Sequence, residues 1–263
     1  MKLLSEERRL TISEFMSSPV VTIHSRATFV EAVQNMALNG IGNLVVADGK
    51  KVTGIITERE LLHHLVLNKS IPNKQIKYFL KEKFTILDPG TSILTAAKSM
   101  IEKKERLLVF HKASTGVPQL AGIITASDIV RGFLETDRNP GLEGAMTNRI
   151  FTLRPGNTIL AASKMMLRRG IGSVLVTSNG SPYSIFTERD LLNRVLGHDV
   201  DIEEKVGPYS TRPVVTAPYG IRAGDAAKLM FANKIKRLPL TEGGRIKAMV
   251  TARDLVEAFQ WGR

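Results

Sequence analysis

Four threonines in this chain are each followed, after two residues, by a carboxylate: Thr57 with Glu60, Thr125 with Asp128, Thr187 with Asp190 and Thr251 with Asp254. A short apolar run leads into each, in the segments GIITERE (54–60), GIITASD (122–128), SIFTERD (184–190) and AMVTARD (248–254). A hydroxyl with an acid three residues on is the layout of a helix start. The hydroxyl accepts from an orphan backbone N–H and the acid reaches back to the cap. The same groups have a second use. A carboxylate on a first helical turn that faces a cleft accepts two hydrogen bonds from the cis-diol of a ribose, while the hydroxyl and the N-terminal N–H groups suit a phosphate. The Arg between Thr and acid in three copies, at Arg59, Arg189 and Arg253, has no capping role.

The elements that must position these groups repeat as well. Each motif is preceded, at similar distance, by an entrance ending in Thr: SSPVVT at Thr22, EKFT at Thr85, NRIFT at Thr152 and TRPVVT at Thr216. A turn follows (PGTS at 89–92, PGNT at 155–158), then apolar residues at helical spacing that end on Met36, Met100, Met166 and Met230. These methionines read as core, where a flexible thioether fills irregular space. Gly40 and Gly170 suit helix stops. The β-rich runs NLVVAD, RLLVFH, SVLVTS and RLPLTE come next, and after each a second strand enters the Thr-x-x-acid. The unit is β-α-β-β-α, present four times, and repeats of this kind bury their apolar faces only against neighbours.

The G-h-h-T-x-x-D ending, the P-V-V-T entrance and the R-L-P-L strand together resemble CBS domains, the small repeat named after cystathionine β-synthase. Four copies paired as two Bateman modules would cover about residues 10 to 260. The resemblance implies an α/β (α+β) fold with repeats at 10–66, 74–136, 142–197 and 205–260. The two modules, joined by ETDRNPGLEG (135–144), could pack against each other as a disc. Repeat 1 is most like repeat 3, and repeat 2 most like repeat 4, as if a two-repeat module had been duplicated whole. In the family the Asp takes the ribose hydroxyls and the Thr or Ser the phosphate, while adenine lies between apolar strand residues approached from the P-V-V entrance. Carried over, this implies nucleotide sites at Thr125 with Asp128, Thr187 with Asp190, and Thr251 with Asp254. It implies base-side contacts at Pro19, Pro213 and Val215, and phosphate contacts at Arg189, Arg253 and Arg237.

Three departures qualify the pattern. Glu60 replaces Asp beside Thr57 and Arg59, and its extra methylene is expected to move the carboxylate out of place. Ser184 and Ala248 replace the leading Gly and are expected to crowd a ligand. Repeat 2 has Ser127 in place of the Arg, so its phosphate charge would come from Arg106. The second module keeps the more complete polar set.

At 263 residues, 43% hydrophobic and 24% charged, there is material for two cores. No apolar run approaches the roughly 20 residues that cross a bilayer, and MKLLSEERRL is too charged for a signal peptide, so a cytoplasmic protein without a membrane partner is expected. The absence of Cys excludes thiolate metal sites and cysteine nucleophiles, and His24, His63, His64, His111 and His198 lack metal-ligand spacing. No Gly-rich phosphate loop, G-x-S-x-G or H-E-x-x-H occurs, so nothing argues for catalysis. The expectation is a non-catalytic sensor of AMP, ADP or ATP, with S-adenosylmethionine less favoured. The nucleotide acts as a regulatory ligand rather than a cofactor, and the output passes to an effector protein or through a homodimer. The formal net charge of +12, with clusters at Lys69–Lys83, Lys164–Arg169 and Lys234–Arg237, supports an alternative, nucleic-acid (DNA or RNA) binding under nucleotide control. Four Tyr and one Trp offer little base stacking for it.

Overall fold

The computed structural model describes residues 10–69, 72, 74–112, 118–178 and 181–262, so the MKLLSEERR stretch read against a signal peptide lies outside the described residues. Repeat 1 runs β1 (Thr22–Ile23), α1 (Phe29–Asn39), β2 (Asn43–Asp48), β3 (Lys51–Thr57) and α2 (Glu58–Asn68). Repeat 2 runs β4 (Phe84–Leu87), α3 (Ile93–Lys103), β5 (Arg106–His111), β6 (Gln119–Ile124) and α4 (Ala126–Leu134). Repeat 3 runs β7 (Thr152–Leu153), α5 (Ile159–Arg169), β8 (Ser173–Ser178), β9 (Ser181–Thr187) and α6 (Glu188–Asp190), which continues as a π-helical turn over Leu191–Val195. The short α7 (Val206–Tyr209) leads into β10 (Ala217–Pro218), α8 (Ala223–Ala232), β11 (Arg237–Glu242), β12 (Arg245–Thr251) and α9 (Ala252–Trp261).

Each sheet has three strands, the first parallel to the second and the second antiparallel to the third. All four hairpins shift register at the same place, between Val46/Ala47, Val109/Phe110, Val176/Thr177 and Leu240/Thr241. The helix ends follow local chemistry. Thr28, Ser92 and Thr158 accept the N–H three residues on, and Gly40 and Gly170 stop α1 and α5 at φ 61° and 65°. One expectation shifts by a residue. Thr22 pairs with Val45, but Ile86 rather than Thr85 takes the equivalent place, opposite Leu108. Since a one-residue step reverses the side of a strand, Thr85 turns inward and its hydroxyl donates to Glu105 at 2.8 Å.

The two large cores do not belong to single modules. One joins α1 and α2 to the helical elements of repeat 3, and the other joins α3 and α4 to α8 and α9. Phe133 and Phe259 stack across the second at 5.0 Å. Within the first module, Val45 and Ile55 meet Leu108 and Ile123 and close its two sheets on each other. The modules therefore meet through their helices, repeat 1 on repeat 3 and repeat 2 on repeat 4, and form the expected disc. The connecting segment is docked: Leu142 is buried, the Ala223 N–H donates to the Pro140 carbonyl, and the Gly224 N–H donates to the Asn139 side chain.

Candidate functional site

Each motif strand is joined by two-way backbone bridges to the entrance of the other repeat in its module. Ser17 bridges Ile123, Lys81 bridges Ile55, Thr147 bridges Met249 and Thr211 bridges Ile185. Pro19 therefore belongs beside Thr125 and Asp128, while Pro213 and Val215 belong beside Thr187 and Asp190. The cleft of Thr251 and Asp254 is completed instead by residues 147–152. The reading of NRIFT as an entrance could have found Arg149 and Phe151 there, but the exchange between repeats is a tertiary fact with no local signal.

All four threonines cap their helices, and all four acids close a capping box. Glu60 contradicts its expectation: Oε2 reaches the Thr57 N–H at 3.1 Å, because the longer side chain folds back over the first turn. What separates the acids is their second oxygen. Glu60 Oε1 pairs with Lys81 at 2.9 Å. Asp190 Oδ1 accepts from the Thr211 hydroxyl at 2.7 Å, with the Arg194 Nε at 3.4 Å. Asp128 Oδ1 faces Arg131 at 3.5 Å, and Arg131 also donates to the Phe15 carbonyl. Asp254 Oδ2 accepts from the Thr251 N–H at 2.7 Å, while Oδ1 has no hydrogen-bond or ion-pair partner among the described residues. Burial pushes the Asp254 carboxyl up to about 6, against the lowering effect of the Thr251 hydrogen bonds. Ser184 and Ala248 are fully buried, and the Ser184 hydroxyl has no hydrogen-bond partner among the described residues.

A cavity of about 960 Å³ lies where the four repeats meet, and Thr57, Thr125 and Thr251 reach its wall. Ten Lys or Arg and four Glu line it, a surplus of six positive charges, or half of the chain's formal +12. Two motif arginines are engaged between modules, Arg189 among those expected at phosphate. Arg59 pairs with Glu188 at 2.9 Å and Arg189 with Glu58 at 2.8 Å, a reciprocal exchange between modules. Arg237 approaches Glu188 at 3.5 Å. Burial raises the Glu188 carboxyl, and Arg59 and Arg237 oppose that rise. The signal was present in the sequence: repeats 1 and 3 read T-E-R, whereas repeats 2 and 4 carry Ala126 and Ala252 at the glutamate position.

Three other cations of the wall have no such counter-charge. Arg106, Lys236 and Arg253 line the cavity, and their side chains make no hydrogen bond or ion pair among the described residues. Arg106 and Lys236 keep surface open to the cavity while protein surrounds them, as groups on a cavity wall do. Desolvation lowers the pKa of both, and the next influence on Arg106 is the positive charge of Arg253. Phe151, on the same wall, carries the Arg149 and Arg169 guanidiniums at 5.3 and 5.2 Å from its ring centre. Among the described residues no group of three or more His, Cys, Asp or Glu could hold a metal ion.

The CBS domain family matches residues 12–67, 75–135, 142–197 and 206–260. The chain belongs to the CBS-domain family. Its CBS repeats are 30% identical over 200 residues to MJ1225 of Methanocaldococcus jannaschii, covering 69% of this chain and 70% of that protein. The crystal structure of MJ1225, described as a candidate archaeal homologue of g-AMPK, superposes with a TM-score of 0.78 at 21% identity over 95% of this chain and all of that one. A second protein of that organism, MJ1404, is 25% identical over 94% of this chain, which spans 61% of MJ1404. Inosine-5'-monophosphate dehydrogenase of Mycobacterium bovis is 32% identical over 121 residues, a match that occupies 22% of the enzyme.

Proposed function

We propose that this CBS-domain protein is a non-catalytic regulator that binds an adenine nucleotide in its central cavity, with the ribose at Asp254 and the phosphates among Arg253 and its neighbours. The observation that carries this reading is the free Asp254 oxygen: of four motif acids it alone keeps an acceptor available for a diol, on the helix turn whose Thr251 and Arg253 line the cavity. Phe151 and Ile150 stand on the wall where a base would lie. The preference for adenine is supported by the family resemblance and by the description of MJ1225.

The cavity draws its wall from both modules, so a ligand that contacts both favours whichever arrangement binds it better, and that difference in affinity sets the available signal. The output passes to a partner protein. Half of the positive surplus faces a cavity that fits a nucleotide and not a nucleic-acid helix, which favours this reading over DNA or RNA binding.

Thermal shifts of ligand-free protein with AMP, ADP, ATP, GTP, cyclic nucleotides, NAD and S-adenosylmethionine test it. Ligand at about 100 times its Kd adds about 2.7 kcal/mol, a shift of a few degrees for adenine nucleotides. Folded protein that shifts with none of them would overturn the proposal.

A further inference from the structure

Repeats 1 and 3 carry equivalent connecting segments on the side away from the cavity. α2 and α6 both begin at the cavity, where Glu58 and Glu188 stand, and the helical paths they open are closed by Lys69 and Asp199 in the same left-handed conformation, at φ 54° and 52°. Further on, Gln75 bridges Thr28 and Lys205 bridges Thr158 in the same antiparallel way. The two segments, 69–78 and 199–208, therefore match residue by residue, yet their charges are opposite. The first holds Lys69, Lys74 and Lys77 and no acid, a net +3; the second holds Asp199, Asp201, Glu203 and Glu204 against Lys205, a net −3. All of these charged residues are exposed, and none forms an ion pair among the described residues.

The contact between the two repeats is reciprocal: α1 packs on the Leu196–His198 turn of repeat 3, and α2 packs on α5. A local two-fold axis thus runs outward from the cavity between them, and the two segments flank it. A second copy turned to face the first, about a two-fold axis in the plane of contact, sets each basic segment against the other copy's acidic one, and both pairings form at once. Such a contact closes on itself at two copies. Size is complementary as well as charge. Leu67 and Tyr78, at the two ends of the basic segment, are 63% and 68% exposed, and Lys77 lies over the Tyr78 ring. Their counterparts in repeat 3 are the smaller Gly197 and Pro208, both exposed, which leave room for a second copy's Leu67 and Tyr78. We propose that this rim is a self-association surface, on which two copies of the chain join with the 69–78 segment of each against the 199–208 segment of the other. Opposite charges select the partner and the register, and since exposed pairs are screened by salt the dimer is salt-sensitive. The inference is independent of the nucleotide reading of the cavity.

Sedimentation velocity of the full chain in about 0.05 M and about 1 M salt tests it. Wild type is expected to be a dimer in low salt and to dissociate in high salt. Lys74→Glu with Lys77→Glu makes both segments negative, and Glu203→Lys with Glu204→Lys makes both positive; each variant is expected to be a folded monomer in low salt, with melting curves confirming the fold. Mixed in equal amounts, the two variants are expected to form a heterodimer. Two reversals change the formal net charge by four, from +12 to +8 in one variant and +16 in the other, so attraction between net charges does not account for that pairing. A wild-type monomer in low salt, assembly beyond two copies, a dimer that survives both reversals, or reversed variants that fail to pair on mixing overturns the inference.

Discussion

Asp254 is held in the fold at a cost: its carboxyl, desolvated by burial, has its pKa raised from the usual 3.8 to about 6. The folded state therefore holds this proton more tightly than the unfolded chain. The contribution of Asp254 to stability is greatest below pH 4 and is lost as pH rises through 6. Ligand affinity runs the other way, because a diol needs the carboxylate, and it should fall as pH drops below about 6. Asp254→Asn keeps an oxygen for the Thr251 N–H and removes the desolvated charge. We expect it to lose tenfold or more in nucleotide affinity, to flatten the pH dependence of binding, and to hold or raise the ligand-free Tm by a few degrees. Calorimetry at pH 5 and 7.5 with melting curves checks all three. The sequence displays all four Thr-x-x-acid pairs, yet not which acid is free. That depends on Lys81 for Glu60 and Thr211 for Asp190, residues brought in from the partner repeat.

At the scale of elements, the helix starts were legible because capping is local: hydroxyl, spacing and acid all lie within four residues. The roles of the arginines were not legible in that way, since their partners come from the other module. Glu188 is nearly buried between Arg59 and Arg237. Glu188→Gln leaves the partly exposed Arg59 and the more enclosed Arg237 with a weakened partner, and a loss of about 1–3 kcal/mol in urea unfolding is expected. Adding Arg59→Met should cost much less than the sum of the two single changes, because the second substitution removes one of the stranded charges. Strict additivity would show that the pair does not couple the modules.

Across the whole molecule, the internal likeness of repeat 1 to repeat 3 and of repeat 2 to repeat 4 anticipates which repeats share a core. The exchange of entrances within each module has no counterpart in the periodicity, so the acid that Pro213 and Val215 accompany is not legible in the sequence. Because both large cores cross the module boundary, residues 10–136 and 142–260 expressed separately would each expose half of two cores. They should fail to form stable monomers and should recover a folded complex on mixing, as read by size-exclusion chromatography and circular dichroism. Phe259→Ala, which removes the ring stacked on Phe133, is expected to cost about 3–5 kcal/mol.

The most direct measurement is a calorimetric titration of ligand-free protein with ATP, comparing wild type with Asp254→Asn and Asp190→Asn. The Asp254 site accounts for tight binding of one nucleotide per chain that survives Asp190→Asn and is lost in Asp254→Asn. Binding that persists in Asp254→Asn and disappears in Asp190→Asn would place the nucleotide in the other cleft and contradict the account.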